Sequence, residues 1–113
     1  MSNEEILAYA KAAYDSGKTK PATGHFWNPN KGTSCLLGAA YCGKIGSFDK
    51  MYDKSWSEFT GKSLFWNQGL IAGFDGDPHT QAYYPNDYDE GYNLGQIGRQ
   101  MFLPQTPVGL GNN

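Results

Sequence analysis

Charge is scarce in this chain, at 18% of residues, and so are metal-binding and cross-linking side chains, with two cysteines and two histidines. Zinc sites want more Cys and His than this sequence supplies, so no metal and no cofactor is expected. Cys35 and Cys42, if they share a helix, lie about 10 Å apart along its axis, too far for an internal disulfide. With no signal-peptide pattern at the start of the sequence, a reduced, cytoplasmic setting is expected. No apolar run is long enough to cross a bilayer, which argues against a membrane partner. The net charge of −2 disfavours non-specific nucleic-acid binding, which rests on phosphate neutralisation. Phosphate loops, G-x-S-x-G elbows and H-E-x-x-H helices are missing too. The chain is not expected to be an enzyme. No period-two alternation persists anywhere, so a sheet protein is not expected either.

Glycine and aromatic residues are abundant instead, and they are patterned. Trp66-x-x-Gly69-x-x-x-Gly73-x-x-Gly76 recurs as Tyr88-x-x-Gly91-x-x-x-Gly95-x-x-Gly98. Glycines at i, i+4 and i+7 fall on one helical face. Each costs roughly 1 kcal/mol of helix propensity relative to Ala, so close backbone approach has to return that cost. Two helices with glycine faces are the expectation.

The remaining elements follow from caps and breakers. Ser2 and Glu5 have capping-box spacing ahead of an apolar stripe of Ile6, Leu7, Ala10, Ala13 and Tyr14, with Gly17 as the stop. Lys18 to Gly32 reads as a loop whose Phe26 and Trp27 fold back as a lid. Thr33 or Ser34 is expected to cap an uncharged central helix from Cys35 to Cys42, closed by Gly43 and Gly46. Ser47 opens a short helix to Tyr52, Ser55 and Glu58 repeat the capping-box spacing, Ser63 caps the first glycine helix, and Asp87 with Glu90 caps the second. The expected fold is all-α: a compact bundle of about five short helices with long loops, one domain over residues 1–103 and a short flexible tail over 104–113.

Two constellations invite chemistry. Cys35, near a helix start, has His25 within reach as a base, but no third orienting residue is identifiable and Leu36-Leu37 imply burial. Asp75-Gly-Asp77-Pro-His79 looks briefly like a cation loop, yet the twelfth position is Asn86 rather than Glu and Pro78 intrudes, so a solvated turn is favoured. Asp89 and Glu90 point to different faces of their helix and are explained by its positive N-terminal end.

The charge is lopsided. Seven lysines between Lys18 and Lys62 face three acidic residues there, whereas from Ser63 onward Arg99 alone opposes Asp75, Asp77, Asp87, Asp89 and Glu90. An acidic patch that meets a basic partner is one consequence; attraction between the two faces, or self-association into a homodimer, is another. Hot spots favour aromatic anchors. The expected binding surface is therefore Tyr83 and Tyr84 flanked by Asp75, Asp77, Asp87, Asp89 and Glu90, with Trp27 and its lysine-bearing loop as the next choice.

Two family likenesses attach to these residues. Gly69-Leu-Ile-Ala-Gly73-Phe-Asp-Gly76 and Tyr88-Asp-Glu-Gly91-Tyr92-Asn-Leu-Gly95 resemble the short repeats of ribosome modulation factor and related phage proteins, a basic family that binds ribosomal RNA. Cys35-Leu-Leu-Gly38-Ala39 together with Gly73-Phe74-Asp75-Gly76 resembles small bacteriophage and prophage proteins. That likeness implies an interaction protein that binds and inhibits a host protein or nucleoprotein complex in the bacterial cytoplasm, of the anti-CRISPR or other anti-defence type. A ribosome- or nucleic-acid-associated module is the alternative, and a small enzyme or metal-dependent protein the third.

Overall fold

The computed structural model describes residues 1–79 and 86–104, and over these the protein is predominantly α-helical. Helix α1 spans Asn3–Asp15 and opens with the expected capping box: Glu5 N–H donates to Ser2 Oγ at 3.1 Å and Ser2 N–H to Glu5 Oε1 at 2.8 Å. Its Ile6, Ala10 and Ala13 are buried, one residue per turn on a single face. Helix α2, Leu36–Ile45, has no charge before Lys44 and is buried at Leu36, Leu37, Gly38, Ala39, Ala40 and Cys42. It is the centre of the molecule. Gly43 is not its terminator but its contact with α1, since a Cβ there would collide with the Tyr9 carbonyl. Gly46, left-handed at φ 99°, closes the helix.

The expected cap of α2 is corrected by a short sheet. Lys20–Pro21 (β1) and Thr33–Ser34 (β2) pair in parallel, which leaves Cys35 as the N-cap residue. The loop between them is clamped: Asn28 N–H donates to Thr33 O at 2.8 Å, Cys35 N–H to His25 O at 3.1 Å, and the Phe26 carbonyl lies where a Cβ of Gly38 would be. Its aromatics do fold back. Trp27 stacks flat on Phe48 with ring centroids 4.7 Å apart, and Phe26 packs on Trp56 at 4.8 Å. The expected helix from Ser47 to Tyr52 is only a 3-10 turn at Met51–Asp53. Helix α3, Trp56–Thr60, carries the Ser55–Glu58 capping box.

Helices α4 (Leu64–Asp75) and α5 (Asn86–Phe102) form the second half. Ser63 caps α4 as expected, accepting from Trp66 N–H at 3.2 Å. Asp87 is not the cap of α5; it lies within the first turn, where its charge still favours the helix end. The glycine faces of the two helices meet backbone to backbone. A Cβ at Gly69 or Gly73 would overlap the carbonyl of Tyr88 or Tyr92, and one at Gly91 or Gly95 would overlap that of Trp66 or Leu70. Because low-numbered residues of α4 meet low-numbered residues of α5, the helices run parallel. The third glycines diverge. Gly76 is the left-handed C-cap of α4 at φ 80°, whereas Gly98 packs against the side chain of Leu36.

The core joins Ile6, Leu36, Leu37, Trp66, Leu70, Phe74 and Leu94 from four helices. The tail beyond Pro104 lies outside the described residues.

Candidate functional site

A parallel pair separates residues that an antiparallel hairpin would bring together. Asp75 ends α4 beside the C-terminal part of α5, while Asp87 starts α5 some twelve residues earlier, about 18 Å away along the axis. Asp75 and Asp87 therefore lie toward opposite ends of the pair. Tyr83 and Tyr84 lie outside the described residues. Trp27, half-buried, is engaged with Phe48.

The chain beyond α4 turns back along the pair. The Tyr92 hydroxyl donates to Asp77 O at 2.6 Å, and the His79 ring meets those of Tyr92 and Tyr88 edge-on at 4.6 and 5.2 Å. Asp89 Oδ1 is buried with His79 Nε2 at 2.8 Å, an ion-pair distance without hydrogen-bond alignment. Asp89 is thus held inward. Asp87 and Glu90 remain exposed at the start of α5.

Farther along the same helix the solvent face changes character. Asn86, Glu90, Asn93, Ile97 and Met101 follow one another at helical spacing and all are exposed. Ile97 and Met101 keep 48% and 50% of their surface in solvent, so they do not extend the core stripe to which Leu94 belongs at 2%. Sequence periodicity alone assigns all three to one stripe. It misses Ile97 and Met101 as surface groups, because the glycines, not the large apolar residues, mark the face packed on α4. The opposite side of α5 is locked by Gly91 and Gly95, so the exposed row is presented on a rigid support.

A second feature lies where both parallel helices end. Arg99 Nη1 donates to Phe74 O at 2.9 Å, so a side chain of α5 satisfies a last-turn carbonyl of α4, and its guanidinium lies over Gly76. Gly24 N–H donates to Asp75 Oδ1 at 3.3 Å, and His25 Nε2 is 2.8 Å from Thr33 Oγ1. Burial pushes the Asp75 carboxyl above its ordinary range and nearby Asp77 adds to this, against the opposing pull of the Gly24 N–H, Arg99 and His25. An open cleft of about 460 Å³ is bordered by His25, Lys31, Thr33, Asp75 and Arg99. A smaller cavity of about 120 Å³ adjoins it through His25 and Asp75 and reaches Phe26, Cys35 and Ile71.

Asp75 joins His25 and Cys35 in the lining of this cavity, but His25 Nε2 lies on Thr33 Oγ1 and the arrangement does not activate the thiol. Cys35 is 3% exposed, and burial, partly offset by the Gly38 and Leu37 N–H groups, pushes its pKa up to about 11. A buried thiol of this kind is inert. Among the described residues no group of three His, Cys, Asp or Glu side chains is placed to hold a metal ion, and no helix is long and apolar enough to cross a membrane.

The fold and these surfaces define a small helical protein built on a fused pair of glycine-faced helices. No protein-family model, curated protein or solved structure matches the chain.

Proposed function

We propose that this chain is an interaction protein whose α5 outer face binds a host protein or nucleoprotein complex and blocks it. The observation that carries the reading is the exposed row on α5. Its N-terminal end is acidic at Glu90, with Asp87 exposed to one side in the first turn, and its C-terminal half offers Ile97 and Met101 as adjacent apolar anchors. An amphipathic helix recognised through i and i+4 anchors is a recurrent docking mode. The partner is a basic surface with an apolar pocket: the acidic end steers encounter and the anchors set residence time.

A protein surface is favoured over RNA because Arg99 is the single basic residue of α5 and is engaged with Phe74 O. The phage likeness makes a bacterial defence complex in the host cytoplasm the favoured target. The test is paired affinity capture from bacterial lysate with the parent and with Ile97→Lys/Met101→Lys. A protein held by the parent and lost from the folded variant supports the reading. Equal capture by both removes α5 as the interface.

A further inference from the structure

We propose that the cleft at the C-terminal ends of α4 and α5 binds a small zwitterion, an α-amino acid with a short branched apolar side chain. Three features define the ligand. Lys31 and Arg99 both line the cleft with cationic side chains, Arg99 while also bonded to Phe74 O, which suits a carboxylate. Asp75 is the acidic residue of the same wall, which suits an ammonium group. The adjoining cavity, with Phe26, Ile71 and Cys35 in its lining, is a mainly apolar recess beyond that mouth.

The size of the recess limits the side chain. At about 120 Å³ the recess is the smaller of the two and leaves room only for a short side chain. The two cavities share His25 and Asp75 in their linings, so a site for a charged head and one for an apolar tail lie side by side. Pockets of mainly apolar lining with a few placed polar groups are the usual form of small-molecule sites.

The cleft is also built rather than incidental. Lys31 is held in a turn in which Asn28 Oδ1 accepts from the N–H of Asn30 and Lys31 at 3.1 and 3.3 Å. Gly24, next to His25, is tied to Asp75, and Arg99 is tied to α4. Asp75 has its carboxylate partly desolvated, and an incoming ammonium would compensate that burial. None of these groups belongs to the exposed row of α5, so this site and the docking face succeed or fail separately.

The experiment is titration calorimetry with a parallel thermal-shift measurement on the full chain at neutral pH. The probes are L-leucine, 4-methylpentanoate (no ammonium), isoamylamine (no carboxylate) and inorganic phosphate. L-Leucine is expected to bind and raise the melting temperature at millimolar concentration, with the two half-ligands about tenfold or more weaker, since each lacks a charged hydrogen-bonding group. Lys31→Glu, an exposed loop substitution that leaves the fold intact, and Asp75→Asn should each weaken L-leucine binding by about tenfold or more. The absence of any L-leucine binding overturns the proposal. Equal binding of 4-methylpentanoate or phosphate overturns it too, because the cleft would then be a plain anion site.

Discussion

Gly69 of α4 and Gly91 of α5 occupy equivalent places in a pseudo-two-fold pair. A Cβ on Gly69 would overlap the Tyr88 carbonyl and lie 2.9 Å from Tyr92 N, while one on Gly91 would overlap the Trp66 carbonyl and lie 3.0 Å from Leu70 N. Tyr88 and Tyr92 are the counterparts of Trp66 and Leu70 in the sequence repeat, each 22 residues further on. Gly73 and Gly95 repeat the relation one turn later, against Tyr92 and Gln96 on one side and Leu70 and Phe74 on the other. The repeat therefore pairs with itself, in parallel and in register.

Gly95→Leu follows directly as a test. The new Cβ would meet the Leu70 carbonyl and, at 2.7 Å, Phe74 N, both backbone atoms that no rotamer change can move aside. We expect a loss exceeding the ~1–3 kcal/mol typical of overpacking, despite a gain of up to about 1 kcal/mol in helix propensity. Gln96→Ala, one residue away and exposed, should stay within about 0.5 kcal/mol of the parent in urea unfolding. A higher melting temperature for Gly95→Leu would contradict the backbone contact.

Both glycine helices, their spacing and the capping boxes at Ser2 and Ser55 were legible in the sequence, because local chemistry decides them. The direction of pairing was not. A short connection between helices ordinarily suggests antiparallel neighbours, and nothing local in Gly76 to His79 says that these residues turn back along the pair. From that one feature follow the separation of Asp75 from Asp87 and the meeting of Asp75 with Arg99. The pairing of Lys20–Pro21 with Thr33–Ser34 was equally hidden, since two-residue strands carry no alternation to read. Ile97 and Met101 share the periodicity of buried Leu94, and only the three-dimensional placement of α2 and α4 tells them apart.

Asp75 predicts a pH dependence with a definite sign. A carboxyl whose folded pKa lies above its unfolded value takes up protons on folding, so stability falls as pH rises between the two values. The cost then persists through neutral pH. Asp75→Asn, which keeps an oxygen for the Gly24 N–H, should be more stable than the parent at pH 7. Its advantage should shrink as pH falls through the folded pKa and vanish below the unfolded one. Urea midpoints across the acid range give the comparison, and a less stable Asp75→Asn at neutral pH would reverse the assignment.

The thiols predict silence. Cys35 is buried with its pKa raised to about 11, and Cys42 is 1% exposed with its own pKa also raised, burial being the first cause for both. An aromatic disulfide reagent should titrate neither at pH 8 in the folded protein and both in urea. Fast reaction of one thiol in the native state would identify Cys35 as accessible from the neighbouring cavity and reopen a nucleophilic role.

The outer face of α5 predicts two separable kinetic effects once a partner is in hand. Ile97 and Met101 are half exposed and Asp87 and Glu90 are exposed; neither pair contributes to the core. Ile97→Lys/Met101→Lys should leave the melting temperature close to the parent's, because such surface changes are worth about 0.5 kcal/mol or less. Asp87→Lys/Glu90→Lys places cations at the start of α5 and should cost about 0.3–1 kcal/mol per charge while leaving the protein folded. Ile97→Lys/Met101→Lys removes the apolar anchors, and hot-spot truncations act mainly on dissociation, so the off-rate should rise by about tenfold or more. Asp87→Lys/Glu90→Lys reverses the charge that steers encounter, so the on-rate should fall at low salt and its salt dependence should flatten. Asp89 is left alone in this design because it faces His79, and changing it would disturb the segment folded along α5. Surface plasmon resonance at two ionic strengths distinguishes the effects. If the charge reversal changes only the off-rate, the acidic turn is in direct contact with the partner rather than steering it. If neither variant alters either rate, α5 is not the docking helix.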